Sequence, residues 1–108
     1  MDTERERKLL RLVGLGVRGR LAVVGVNQVR DAVLRGKLAM AIVAPDASEN
    51  SLDKVVPLLA ARRIRVIEGA SSTELGAAVG REATAVVGIT DQQLARGIQA
   101  IVEGSEGA

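Results

Sequence analysis

From Leu38 to Ala44 the chain reads Leu-Ala-Met-Ala-Ile-Val-Ala, an unbroken apolar run. A strand with one face in water alternates apolar and polar side chains, so this run predicts a strand covered on both faces. Covering both faces takes helices on either side of a sheet, which narrows the fold to a layered α/β class. The run is only about a third of the length that crosses a bilayer, so it reads as the central strand of a globular domain. Pro45 and Asp46 close it.

The flanking segments supply the cover. Thr3-Glu4-Arg5-Glu6 has capping-box spacing and Leu9, Leu12 and Val13 share a face, predicting a first helix from about Thr3 to Val13 that Gly14 and Gly16 end. Arg20 to Val24 reads as a short strand, Gly25 as a turn, and Val26, Val29, Ala32 and Val33 as the stripe of a helix stopped by Gly36. After Ser48, the residues Leu52, Val55, Val56, Leu59 and Ala60 form the cleanest helical stripe, in which Pro57 is expected to kink or restart the helix. Arg62, Arg63 and Arg65 follow it and complement its dipole. Arg65 to Glu68 is a third strand, and Ser71-Ser72-Thr73-Glu74 is a capping box opening a short helix to about Val79. Ala83 to Ile89 is a fourth strand, and Leu94, Ile98, Ile101 and Val102 face inward from a last helix beginning at Thr90 to Gln93. Five helices interleaved with four strands predict a three-layer α/β/α sandwich around a four-stranded mixed sheet. Residues 1–108 form one domain, with a core at about 3–103 and a tail at 104–108.

The absences exclude whole chemistries. The chain has no Cys, His, Phe, Tyr or Trp, so it can build no structural zinc or iron-sulfur site, no His-activated nucleophile and no disulfide. No tight carboxylate cluster suggests a Mg²⁺ site, and Glu49 with Asp53 reads as a solvated helix edge; neither a cofactor nor catalysis is expected. The charged start, Met1-Asp2-Thr3-Glu4-Arg5-Glu6-Arg7, is unlike the lead into a secretory apolar region, and the expectation is a cytoplasmic monomer with no membrane contact. Fifteen Lys and Arg against thirteen Asp and Glu leave a net charge of only +2. Charge alone therefore says little about nucleic acid, although cations drawn mostly from Arg favour bidentate contact with phosphate or carboxylate. A GC-rich genome would produce the same bias.

Three segments carry binding chemistry. Gly14-Leu15-Gly16-Val17-Arg18-Gly19 matches the dinucleotide fingerprint by letter, but that motif needs a strand before it and a helix after it. Here the order is reversed, leaving a flexible helix-to-strand loop from which Arg18 and Arg20 can reach a phosphate backbone. Gly25-Val26-Asn27-Gln28 lies where a strand becomes a helix, bringing free N–H groups, a positive dipole end and two amides together. Such a turn suits RNA, since amides read base edges and helix N-termini take phosphates; equally, Asn27 is a preferred helix cap. Glu68-Gly69-Ala70-Ser71-Ser72 is a second strand-to-helix turn of the kind at which α/β folds bind ligands, or a capped turn and nothing more.

The segments from Gly25 to Ala32, Ala44 to Ser51 and Ser71 to Gly76 together resemble the kink-turn-binding ribosomal protein family (L-seven-Ae type), and its small bacterial branch most of all. The likeness runs from about Leu10 to Val102. It implies a non-catalytic RNA-binding module for a kinked internal loop with sheared G·A pairs, whose partner is a kink-turn or ribosomal RNA and, through it, the ribosome. By this resemblance Gly25, Asn27 and Gln28 contact the G·A pairs, while Glu68 to Ser72 cover the flipped nucleotides of the bulge. Two positions depart from the family pattern: Gln28 stands for a carboxylate, and Asp31 for a Lys beside phosphate. Arg30, about 100° around the helix from Asp31, does not simply replace that Lys. The alternative is a protein-interaction module that kept the fold and lost tight kink-turn binding; the positive charge balance and Asn27 argue against it. With no aromatic residue, base stacking falls to Arg planes.

Overall fold

The computed structural model describes residues 1–104, and residues 105–108 of the predicted 104–108 tail lie outside them. The elements are α1 (Thr3–Arg18), β1 (Ala22–Val24), α2 (Val26–Leu34), β2 (Met40–Val43), α3 (Glu49–Ala61), β3 (Arg65–Glu68), α4 (Ser72–Ala78), β4 (Val86–Ile89) and α5 (Gln92–Glu103). The sheet order is β1-β4-β2-β3. β2 and β3 pair in parallel, whereas β4 runs antiparallel to both β1 and β2. The sheet is thus mixed, as expected, with its two most apolar strands in the middle.

Burial follows from that placement. Every residue of β2 and β4 is buried. Met40, Ile42 and Ala44 pack with Leu9, Val13, Leu75 and Ile98 on one side of the sheet, while Ala41 and Val43 pack with Val29, Val33, Val55 and Leu59 on the other. This strict alternation sends β2 side chains into two separate apolar layers. One layer is roofed by α1, α4 and α5 and the other by α2 and α3.

Several boundaries differ from the sequence expectation. The first helix is capped by Asp2, whose carboxylate accepts from the Arg5 N–H at 2.9 Å, rather than by Thr3. It also runs through Gly14 and Gly16 to Arg18, so the glycine-rich segment is helix and not a flexible loop. Both glycines are buried, and a Cβ on Gly14 would lie 2.6 Å from the Ala78 carbonyl oxygen. They are there for close helix packing, and Gly19 with left-handed Arg20 (φ 62°) ends the helix instead. β1 accordingly starts at Ala22, not Arg20. β4 is shorter than the apolar pattern suggested because Ala83 to Ala85 serve the loop leading into it.

Pro57 neither ends nor restarts α3, which is helical on both sides of it. Proline frees the carbonyl four residues back; here that belongs to exposed Asp53, where water can satisfy it. The capping box predicted for α4 is present, with the Ser71 hydroxyl accepting from the Glu74 N–H and the Glu74 carboxylate accepting from Ser71.

Glycines separate into those that must be glycine and those that need not be. Gly14→Ala is expected to cost about 1–3 kcal/mol through overpacking. On α5, a Cβ added to Gly97 would meet only a Leu12 methyl, at an ordinary 3.7 Å, so Gly97→Ala should gain about 0.5–1 kcal/mol from helix propensity. Urea unfolding of both variants checks the pair, and a stabilised Gly14→Ala protein would contradict the packing argument.

Across the α1–α4 contact two carboxyl groups meet. Burial, followed by the hydrogen bond and the negative charge of Glu74, raises the Glu6 carboxyl above its ordinary range. The Ser71 hydroxyl, followed by Glu6 and the Ser71 N–H, lowers that of Glu74. A raised carboxyl favours the folded state when protonated, a contribution present at low pH and lost as pH rises through its folded-state pKa. Glu6→Gln keeps a hydrogen-bonding group without the charge. It should raise the melting temperature at pH 7, with the gain shrinking as pH falls and wild-type Glu6 takes its proton; a pH series of thermal melts reads this directly.

Candidate nucleic-acid interface

Strand directions decide which turns are neighbours. Because β1, β2 and β3 run one way and β4 the other, the ends of the first three strands and the start of the fourth meet at one rim. The turn at Gly25, the Pro45–Ser48 loop, the Gly69–Ser71 loop and the segment entering β4 therefore converge, although they are far apart in sequence. Main-chain bonds tie them: the Gly25 N–H donates to the Val86 carbonyl at 2.9 Å, Ala44 to Ala85 at 2.9 Å, and Thr84 to Ser72 at 3.0 Å. Asp46 adds a side-chain tie, accepting from the Ser72 N–H at 2.7 Å and from the Ser72 hydroxyl at 3.1 Å.

Gly25 is the N-cap of α2 at φ 94°, a backbone conformation that favours glycine. No side chain caps this helix. Asn27 is therefore not the cap that its residue type allowed; it and Gln28 are exposed in the first turn, with their amides free for a partner. They line a cleft of about 400 Å³ together with Gly25, Ser51, Lys54 and Arg81. A second depression, of about 260 Å³, is lined by Asp46, Ser48, Ser72 and Thr84 and shares Ser51 with the first. The two form one continuous polar rim running from the α2 turn to the β3–α4 turn.

The remaining expected residues divide. Val26 is partly exposed beside Asn27, Ser72 lines the second depression and Ser71 before it is partly exposed, but Ala70 is only 3% exposed and serves the core. Glu68 is exposed at the end of β3 and Gly69 is partly exposed beyond it. Arg30 donates through Nη1 to the Lys54 carbonyl, bracing α2 against α3. Asp31 pairs with Arg35 at 3.2 Å, one turn further along α2.

Arg18 and Arg20 are not brought to this rim. They precede β1 while Gly25 follows it, a separation of roughly 16 Å along the strand. Arg18 instead lines a groove between α1 and α4 with Arg7, Arg11, Leu10 and Glu74. Lys54, Arg81, Ser51 and Asp46 are the residues that sequence reading missed. Asp46 and Ser51 fall within the Ala44–Ser51 segment that carries the family resemblance, whereas Lys54 and Arg81 lie in segments of ordinary polar composition and only the strand order places them beside Asn27.

The structure is a three-layer sandwich with an open, amide-bearing helix turn at a polar cleft. The chain belongs to the ribosomal protein L7Ae/L30e/S12e/Gadd45 family, whose pattern matches residues 8–98. It is 28% identical over 92 residues to the RNA-binding protein YlxQ of Bacillus subtilis (strain 168), covering 85% of this chain and 92% of that protein. Among solved structures, a protein of unknown function from Bacillus halodurans C superimposes with a TM-score of 0.80 at 29% identity, over 89% of this chain and 97% of the other. A Giardia lamblia 15.5kD RNA binding protein superimposes with a TM-score of 0.79 at 25% identity, over 98% of this chain and 91% of the other. No helix among the described residues is long and apolar enough to cross a membrane.

The Asp46 tie has a measurable consequence at the rim. Asp46→Ala removes two acceptors from Ser72 and should lower stability by about 0.5–1.5 kcal/mol. Amide exchange at Ser72 should quicken more than exchange in the central strands. Unchanged exchange at Ser72 would mean that the loop holds its shape without this carboxylate.

Proposed function

We propose that this protein binds structured RNA without catalysing a reaction on it, and that its target is of kink-turn type. The observation that carries the reading is the uncapped first turn of α2: Asn27 and Gln28 are exposed, free of any capping role, and face a cleft that no carboxylate lines among the described residues. Each amide offers a donor and an acceptor and can pair with base edges, while the N–H groups of the turn suit phosphate. Gln28 keeps an acceptor where the family pattern has a carboxylate, so contact with a guanine amino group survives without its charge. The names of the Bacillus subtilis and Giardia lamblia relatives support RNA as the partner.

The β3–α4 turn fits as a second contact, with Ser71 and Ser72 outward and Ala70 supporting from beneath. Arg18 and Arg20 join only where the RNA extends past the length of β1. A ribosomal RNA segment is one such target, reached in the cytoplasm by a monomer.

Filter binding to a kink-turn hairpin and to a fully paired duplex of the same length tests the reading. The Asn27→Ala, Gln28→Ala double variant should stay folded and lose about 1–3 kcal/mol per base contact on the kink-turn, with little change on the duplex. Equal losses on both RNAs would show that the amides do not read bases. A wild-type protein with no preference for the kinked RNA would favour the protein-interaction alternative.

A further inference from the structure

The cleft beside Asn27 and Gln28 receives its positive charge from elsewhere in the chain. Lys54 comes from the middle of α3 and Arg81 from the connection between α4 and β4. Both side chains are exposed, and among the described residues neither makes an ion pair or a side-chain hydrogen bond. Their backbones, by contrast, are held. The Lys54 carbonyl accepts from the Arg30 guanidinium, and the Arg81 N–H donates to the Gly76 carbonyl at 2.8 Å. Two cations carried on held backbone, with no carboxylate lining the cleft among the described residues, next to two free amides, form a site whose missing component is negatively charged.

Asp31 sharpens the point. Its carboxylate is turned along α2 toward Arg35 and does not line the cleft. Arg30, the adjacent cation, is committed to the α3 backbone. The surface of α2 therefore offers no free cation near the turn, and the two that line the cleft belong to other elements.

We propose that Lys54 and Arg81 are the phosphate-binding groups of this cleft, gripping the backbone of the nucleotides whose base edges meet Asn27 and Gln28. The assignment rests on the RNA-binding reading above. Lys54 acts as a point charge, whereas the planar Arg81 fork can take a phosphate in bidentate fashion or lie on a base.

The test is a salt series of filter-binding titrations on the kink-turn hairpin and on the fully paired duplex of the same length, run with the wild type, Lys54→Gln, Arg81→Gln and their double variant. Arg96→Gln, an exposed change on α5 in the other helical layer, controls for net charge, and Lys54→Arg tests charge retention. Each neutralisation should reduce the slope of log affinity against log salt by about one unit and the double by about two. Arg96→Gln and Lys54→Arg should leave it unchanged. Thermal melts should be the same for all variants, since neither side chain is packed. A double variant with the wild-type slope overturns the assignment; if the wild type still prefers kinked RNA in that experiment, the RNA reading survives it. Loss of slope with no preference for the kink leaves the phosphate assignment standing and removes the kink-turn target. No binding at the lowest salt overturns both.

Discussion

The two-sided burial of β2 and β4 is the constraint on which the rest of the molecule depends. A strand that is apolar on both faces needs a helical layer above and below it. With the shorter β1 and the half-exposed β3 at the edges, the two fully buried strands take the centre of the sheet. Because β4 is antiparallel to its neighbours, the chain enters it from the same rim at which β1, β2 and β3 end. The rim is thus a consequence of how the core is buried. Its polar residues lie outside the two apolar layers, so their chemistry can vary without disturbing the burial that stabilises the fold.

That separation explains which features are legible in the sequence and which are not. Apolar periodicity is a local record of burial, so the central strand at Leu38 to Ala44, the α4 capping box and the order of helices and strands can all be read directly. Gly14 and Gly16 defeat such a reading because glycine has two unrelated uses. It ends helices where a left-handed residue is needed, and it also permits close approach inside them. Only the neighbouring Ala78 carbonyl, 64 residues away in the chain, decides which use applies to Gly14. Pro57 follows the same logic, since its cost depends on whether the carbonyl it strands can reach water.

The candidate site is half legible for a related reason. The Gly25–Gln28 turn is continuous in sequence and announces itself through a glycine, two amides and the start of an apolar stripe. The cations beside it do not. Arg18 and Arg20 are near that turn in sequence but stand at the opposite end of β1, whereas Lys54 and Arg81 are remote in sequence and line the same cleft. Proximity along the chain misleads here because a strand carries its two ends apart. The reading of Asn27 as a simple helix cap fails for a geometric reason as well. Gly25 occupies the cap position, which places Asn27 inside the first turn with its side chain directed outward.

The composition also limits how such a rim can recognise a base. Without Phe, Tyr or Trp, no flat apolar surface is available for stacking, a contact tolerant of angle and indifferent to base identity. On the proposed reading, discrimination then falls to hydrogen bonds from Asn27 and Gln28, which weaken steeply when misaligned. A site of this kind works only if the elements that carry the amides hold still. The main-chain bonds from Gly25 to Val86 and from Thr84 to Ser72, the Arg30 brace onto α3 and the Asp46 tie to Ser72 provide that rigidity. Of these groups, Val86, Thr84, Arg30 and Asp46 need not touch RNA. Their effect is to lower the ordering cost of binding, leaving more of the amide contacts to appear as affinity. In this architecture the amides proposed to read the ligand are held in place largely by residues that do not contact it, and both are anchored to the same pair of buried strands.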